Sequence, residues 1–122
     1  SVTDEACGNL TYICWPTIAP ASITYYPANG SNASWRNSLI VSSLKNGVLY
    51  VLPMNSSKTN VQGDVRSYFH TANRYRNTVV SPDGSKLYVA TDVAGNVIGR
   101  DGKPTGKLEN PGSILEFTLQ AR

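Results

Sequence analysis

Residues 73–92 restrict the fold more than any other stretch, because their pattern is that of a β-hairpin. Thr78 to Val80 and Leu87 to Ala90 are runs of β-branched, aliphatic and aromatic residues, which favour strands. Between them lies Ser81-Pro82-Asp83-Gly84, in which proline fixes φ, aspartate can bond its own backbone and glycine accepts a positive φ. We therefore predict an antiparallel hairpin here, with strands over 77–81 and 86–91.

Five further strands are predicted along the chain: Ser22–Tyr26, Ser38–Ser42, Val48–Leu52, Val65–Phe69 and Ser113–Leu119. Two of them flank Asn46-Gly47, a dipeptide that strongly indicates a tight hairpin turn. Residues 1–19 and 92–110 are predicted to be irregular loops. No segment shows ten or more residues of helical periodicity with capping residues, so the fold class is all-β, built from antiparallel meander sheets.

Residues 22–69 and 74–119 form two meander units that resemble blades of a β-propeller. A propeller needs at least four blades to close its ring. A chain of 122 residues is therefore expected to be either about two blades of a longer propeller or a small sandwich. We treat residues 1–122 as one domain segment.

The net charge of the chain and the distribution of its basic residues indicate which kinds of ligand it could bind. The net charge is +3, and the basic residues are scattered rather than clustered, which makes nucleic acid a weak hypothesis and fits a small anionic ligand equally well. No apolar run approaches the ~20 residues that a membrane span requires. Ser1 begins neither a signal peptide nor a transit sequence, so we expect a mature chain or a piece of one.

The two cysteines, Cys7 and Cys14, are close enough in sequence to close a small disulfide loop. A disulfide would indicate an exported protein, periplasmic or secreted. The alternative is a pair of free thiols, since two cysteines alone do not complete a structural zinc site.

Arg74 and Arg76 are two residues apart, a spacing that places both side chains on one face if the strand already begins there. Such a pair either forms a solvated basic edge that discourages aggregation or provides two fixed positive charges for a ligand.

Five stretches of the chain resemble the C-terminal part of the soluble quinoprotein glucose dehydrogenases, six-bladed propellers that use pyrroloquinoline quinone (PQQ). The resemblance covers almost the whole chain, and its most specific parts are Tyr-Ile-Cys-Trp-Pro-Thr and Asn-Arg-Tyr-Arg. In chain order the five stretches are Cys7-x6-Cys14 with Tyr12-Ile13-Cys14-Trp15-Pro16-Thr17, then Ser43-Leu44-Lys45-x-Gly47-Val48, Asn73-Arg74-Tyr75-Arg76, Ser81-Pro82-Asp83-Gly84, and Leu108-Glu109-Asn110-Pro111-Gly112-Ser113.

The resemblance implies roles for individual residues. It implies that Lys45, Arg74, Arg76 and Thr17 contact PQQ, whose carboxylates and quinone oxygens suit cationic donors. It also implies that two aromatic residues line the sugar side of the site, where aromatic faces pack well against sugar rings. These are Tyr12 and Trp15, although ordinary core packing is the alternative for Trp15.

The resemblance places the general base and the calcium ligands of the family in earlier blades. His70, the single histidine, does not match the family's catalytic position, and we assign it no chemistry. The acidic residues show no calcium-loop spacing. The segment is thus expected to need the remaining N-terminal blades and to be inactive alone.

Two functions remain open. The first is a portion of a sugar dehydrogenase that oxidises an aldose at C1 to the lactone and passes electrons to an external acceptor. The second is a non-catalytic exported β module that binds a sugar or an acidic ligand.

Overall fold

The computed structural model of the protein describes residues 17–120, whose regular secondary structure is almost entirely β-strand. The strands are β1 (Pro20–Tyr26), β2 (Ser38–Ser43), β3 (Leu49–Pro53), β4 (Arg66–Tyr68), β5 (Tyr75–Val80), β6 (Lys86–Thr91), β7 (Val97–Ile98), β8 (Pro104–Thr105) and β9 (Ile114–Thr118). The helical structure of the described part is one 3-10 turn, Ala33–Trp35. No helix in this part is long and apolar enough to cross a bilayer. The all-β prediction is confirmed.

The strands form two antiparallel meander sheets and a separate two-stranded hairpin. The first sheet has the order β1-β2-β3-β4 and the second the order β5-β6-β9, while β7 pairs with β8. Each larger sheet is built like a propeller blade, in which antiparallel strands lie in meander order, and the β7–β8 hairpin is inserted between β6 and β9 of the second sheet. The two-blade prediction therefore agrees with the observed topology.

One sequence prediction needs correction, because residues 92–110 are not an uninterrupted loop. They contain β7 and β8, which pair through Val97 with Thr105 and Ile98 with Pro104. Strands of two residues are too short to produce an alternating pattern, so no periodic signal marks them in the sequence. The tertiary structure nevertheless buries Val97 completely.

The two larger sheets pack face to face on one hydrophobic core. Its buried members are Tyr26, Trp35, Ile40, Leu49, Val51, Tyr75, Leu87, Val89 and Leu119. Phe69 and Phe117 stack at the side of this core, with ring centroids 4.2 Å apart. The strands β1, β2, β3, β5 and β6 each contribute a buried member, and β4 and β9 contribute partly buried neighbours, Tyr68 in β4 and Leu115 and Phe117 in β9. The two sheets therefore form a single packed unit.

Polar contacts also join the two sheets. The hydroxyl of Tyr26, in β1, donates to the carbonyl of Gly84 at 2.7 Å and accepts from the backbone N–H of Asn32 at 3.0 Å. Thr24 donates from Oγ1 to the carbonyl of Thr78 in β5 at 2.8 Å. These bonds fix the position of β1 against the β5–β6 hairpin.

Candidate functional site

The segments that carry the predicted cofactor residues meet at one end of the two sheets. Thr17 precedes β1, Lys45 lies in the turn between β2 and β3, and Arg74 immediately precedes β5. Asp92 immediately follows β6, which is antiparallel to β5, so it lies beside Arg74. We call this end of the sheets the cationic end.

A β-bulge sets the direction of the arginine side chains. In the pairing of β5 with β6, Tyr75 lies opposite Thr91 and Asn77 opposite Ala90, so Arg76 is an extra residue without its own partner. A bulge bends the strand and redirects side chains. Tyr75 is fully buried in the core while Arg76 and Asn77 are both exposed, a break in alternation that the bulge explains.

Asp92 binds both arginines through one carboxylate. Oδ2 of Asp92 lies 3.0 Å from Nε of Arg74 and accepts from Nη2 of Arg76 at 2.8 Å. Oδ1 accepts from Nε of Arg76, also at 2.8 Å, so the Arg76 pair is bidentate. The side chains of Arg74 and Asp92 are 23% and 15% exposed, whereas that of Arg76 is 54% exposed. The cluster is thus half-buried on one side and open to solvent on the other.

The electrostatics of this cluster follow from its geometry. Hydrogen bonds from Arg76, followed by those from Arg74, hold the pKa of Asp92 below its usual value despite its partial burial. The same bonds raise the pKa of Arg76. Asp92 is therefore ionised at neutral pH, and because guanidinium groups keep their charge in proteins, two of them around one carboxylate leave a surplus positive charge.

Lys45 is held in place by backbone hydrogen bonds from two other segments. Its N–H donates to the carbonyl of Ile18 at 3.3 Å, and its carbonyl accepts from the N–H of Ile98 at 2.7 Å. Burial lowers the pKa of the Lys45 ammonium. Gly47, two residues on, has a φ of 61°, and a Cβ there would lie 2.0 Å from the carbonyl oxygen of Thr71, so the tight turn requires glycine.

Residues 93–98 connect the lysine turn to the arginines. Nη1 of Arg74 donates to the carbonyl of Asn96 at 2.6 Å, and two residues later Ile98 bonds to the backbone of Lys45. Gly95 passes so close to Arg74 that a Cβ would lie 2.5 Å from Nε. The structure therefore links Lys45 and Arg74 through one short segment, which the sequence patterns did not reveal.

Asn73 fixes the residue before Arg74 to the loop that precedes β9. This fully buried amide accepts from the N–H of Asn110 at 2.8 Å and donates to Oδ1 of Asn110 at 3.1 Å and to Oγ1 of Thr71 at 2.9 Å. The neighbouring N–H of Ala72 donates to the carboxylate of Glu109. Two of the stretches that carried the family resemblance are thus bonded directly to each other.

Thr17 is exposed at the same end, where its Oγ1 accepts from the N–H of Ala19 at 3.0 Å. The segment that it begins continues to Ile18 and Ala19, whose carbonyls accept from Lys45 and Leu44. Thr17 is therefore the residue next to Ile18, which bonds directly to Lys45. The predicted sugar-side residues and the predicted disulfide, Tyr12, Trp15, Cys7 and Cys14, lie outside the described residues.

His70 is exposed, and its Nε2 lies 3.4 Å from the carbonyl oxygen of Ile98. Within residues 17–120, no group of three or more His, Cys, Asp or Glu side chains is arranged to hold a metal ion. The chemistry that the described residues offer at the cationic end is therefore the binding of anions by fixed cationic donors.

Comparison with known proteins gives two matches. The sequence model of the family described as glucose/sorbosone dehydrogenase matches residues 4–100. Quinoprotein glucose dehydrogenase B of Acinetobacter calcoaceticus is 46% identical over 121 residues, which cover 98% of this chain and 25% of that protein. The chain thus spans about a quarter of the length of this curated relative.

Proposed function

Because the chain belongs to the glucose/sorbosone dehydrogenase family, we propose that it forms part of a PQQ-dependent dehydrogenase that oxidises an aldose at C1 to the lactone. In this proposal the segment corresponds to the C-terminal part of a six-bladed propeller. The remaining N-terminal blades contribute the general base and the calcium ligands. The 122-residue chain alone is expected to be inactive for that reason.

The observation that carries this proposal is the fixed pair of arginines around Asp92, connected through residues 93–98 to Lys45. Among the described residues of this cluster, the three cations outnumber the one carboxylate. PQQ carries three carboxylates, so the surplus charge and the forked arginine donors fit it. When bound, the quinone supplies a two-electron acceptor for the substrate hydride.

Each residue of this chain then has a defined task. Arg74 and Arg76 bind and orient anionic oxygens of the cofactor, and Lys45 adds a compact ammonium whose partial desolvation strengthens its interactions. The Thr17 hydroxyl adds a neutral polar contact. Tyr12 and Trp15 present aromatic surface to the sugar. An external acceptor must receive the electrons afterwards, and we place the enzyme in the periplasm or outside the cell.

The test is substitution of Arg76 in the full-length enzyme that contains this segment. A charge-assisted hydrogen bond contributes about 1.5 to 3 kcal/mol, less where water remains, so Arg76→Ala should raise the Kd for PQQ by about tenfold or more. Arg76→Lys should cause a smaller loss, because the charge is kept while the fork is lost. The Kd is measured by titrating the apoenzyme with PQQ at a fixed calcium concentration.

Arg36→Ala is the matched control. Arg36 is also exposed, but it lies in the β1–β2 connection at the opposite end, where its Nε donates to the carbonyl of Gly30 at 2.7 Å. Its removal should leave the Kd unchanged. Equal effects of Arg36→Ala and Arg76→Ala would refute the specific role. Saturable sugar binding without any PQQ binding would instead favour a non-catalytic sugar-binding module.

A further inference from the structure

Asp92 is an acidic residue held between two cationic side chains, those of Arg74 and Arg76. Its backbone is fixed on both sides, because its N–H donates to the carbonyl of Arg74 at 3.0 Å and its carbonyl accepts from the N–H of Gly112 at 2.9 Å. Its side chain is only 15% exposed. The carboxylate therefore occupies one defined position between the two arginines.

An ordinary surface ion pair is a poor description of this arrangement. Exposed pairs contribute about 0 to 1 kcal/mol because solvent screens them and their side chains lose conformational freedom. Here one carboxylate joins two guanidinium groups, and Arg74 is held a second time by the carbonyl of Asn96. Two like charges that close together would repel each other without an anion between them.

The hydrogen bonds to Asp92 use only some of the N–H groups of Arg74 and Arg76. They use Nε and Nη2 of Arg76 and Nε of Arg74, while the carbonyl of Asn96 uses Nη1 of Arg74. Nη1 of Arg76 and Nη2 of Arg74 make no hydrogen bond to any residue between 17 and 120. These two groups carry N–H donors that a ligand can use without breaking a bond already made.

From this geometry we infer that Asp92 is a positioning residue: it holds Arg74 and Arg76 side by side so that their remaining N–H groups bind the anionic cofactor. This inference rests on the proposed function. Asp92 does not itself contact the ligand, since a carboxylate would repel carboxylates. Because Asp92 already orders the two long arginine side chains, their conformational entropy is not lost when the ligand binds.

Positioning and simple electrostatics predict opposite results for Asp92→Asn. The substitution removes a negative charge, so the site becomes more positive and should bind an anion more tightly if charge alone matters. Positioning predicts weaker binding, because an amide has one acceptor oxygen and its NH₂ group would face a guanidinium N–H. The sign of the change in Kd therefore separates the two explanations.

The experiment titrates the full-length apoenzyme with PQQ at a fixed calcium concentration and follows intrinsic fluorescence. We expect Asp92→Asn to raise the Kd by about tenfold. Asp64→Asn is the matched control with the same change in net charge, since Asp64 lies in the β3–β4 connection at the opposite end. Its Kd should equal or fall slightly below that of the wild type. The thermal midpoint of each apoprotein is measured in parallel.

Each outcome decides the inference. An unchanged or lower Kd for Asp92→Asn overturns it. If Asp92→Asn does not fold, Asp92→Glu takes its place: the charge is kept, the carboxylate moves by one methylene, and a Kd raised severalfold is expected, whereas a wild-type Kd overturns the inference. If the wild-type enzyme itself does not bind PQQ saturably, the proposed function fails as well, and that result is distinct from a failure of Asp92 alone.

Discussion

At the scale of single residues, Asp83 shows how one side chain can organise a turn. Its Oδ1 accepts from the Ser81 hydroxyl at 2.9 Å, the Ser85 N–H at 3.0 Å and the Ser85 hydroxyl at 2.7 Å. These bonds, with those from Ser85 foremost, lower the pKa of Asp83 to about 2. The carboxylate therefore stabilises the β5–β6 turn in its charged form.

This shift predicts how stability depends on pH. A carboxyl whose pKa falls on folding stabilises the native state above its unfolded pKa and loses that contribution as the pH falls through the folded value. The contribution of the Asp83 carboxylate to the free energy of unfolding should thus be complete above about pH 5 and disappear towards pH 2. Asp83→Asn should be less stable than the wild type at pH 7, and the difference should shrink across this interval in urea denaturation.

Asp64→Asn is a suitable control for Asp83→Asn, because Asp64 accepts no hydrogen bond from residues 17–120. It should show no comparable pH-dependent difference. If the difference between wild type and Asp83→Asn stays constant from pH 7 to pH 2, the carboxylate does not stabilise the turn through its charge.

At the scale of elements, the segment between β6 and β7 determines the position of Arg74. Gly95 has a φ of 129°, and its Cα faces the guanidinium at a distance that excludes a side chain. Gly102, in the turn between β7 and β8, also has a positive φ, 79°, but a Cβ there would meet nothing within 4 Å. Both glycines have a positive φ, and their surroundings differ.

Alanine substitutions at these two positions should therefore separate backbone strain from displacement of Arg74. Gly102→Ala should lower the free energy of unfolding by about 1 to 2 kcal/mol through its unfavourable φ. Gly95→Ala should cost about 1 to 3 kcal/mol more, because Arg74 must give up its bonds to Asp92 and Asn96. Urea denaturation of both variants measures the difference. Equal losses would mean that Arg74 moves aside at little cost.

At the scale of the whole molecule, a few polar contacts hold one sheet against the other on the shared core. The Tyr26 hydroxyl is buried and joins β1, the β1–β2 connection and the β5–β6 turn. Tyr25, the neighbouring residue, is 37% exposed, and its hydroxyl donates to Oδ1 of Asn37 in the β1–β2 connection. Removing each hydroxyl in turn therefore compares a buried bond between the sheets with an exposed bond.

Tyr26→Phe should destabilise the protein by about 1 to 3 kcal/mol, because the Gly84 carbonyl and the Asn32 N–H would be buried without partners. Tyr25→Phe should change stability by no more than about 0.5 kcal/mol, since water can replace its bond. Both values come from chemical denaturation with a fluorescence readout. A Tyr26→Phe effect as small as that of Tyr25→Phe would show that the core alone holds the sheets together.

The local patterns of the sequence determined the strands and their turns. Alternating and β-branched runs placed β2, β3, β5, β6 and β9 to within about two residues of their observed ends. Asn46-Gly47 and Asp83-Gly84 marked tight turns because glycine tolerates the positive φ found at Gly47 and Gly84. Such features depend on residues that are close in sequence, so an all-β meander could be recognised before any contact was known.

The tertiary structure alone decided how the cationic end is assembled. The sequence predicted that Arg74 and Arg76 share a face, but the partner that draws them together, Asp92, is 18 and 16 residues away from them. Asn73 and Asn110 are separated by 37 residues, and β7 and β8 are too short for a pattern. Contacts of this kind depend on strand register, the bulge at Arg76 and the packing of one sheet on the other, none of which leaves a periodic trace in the sequence.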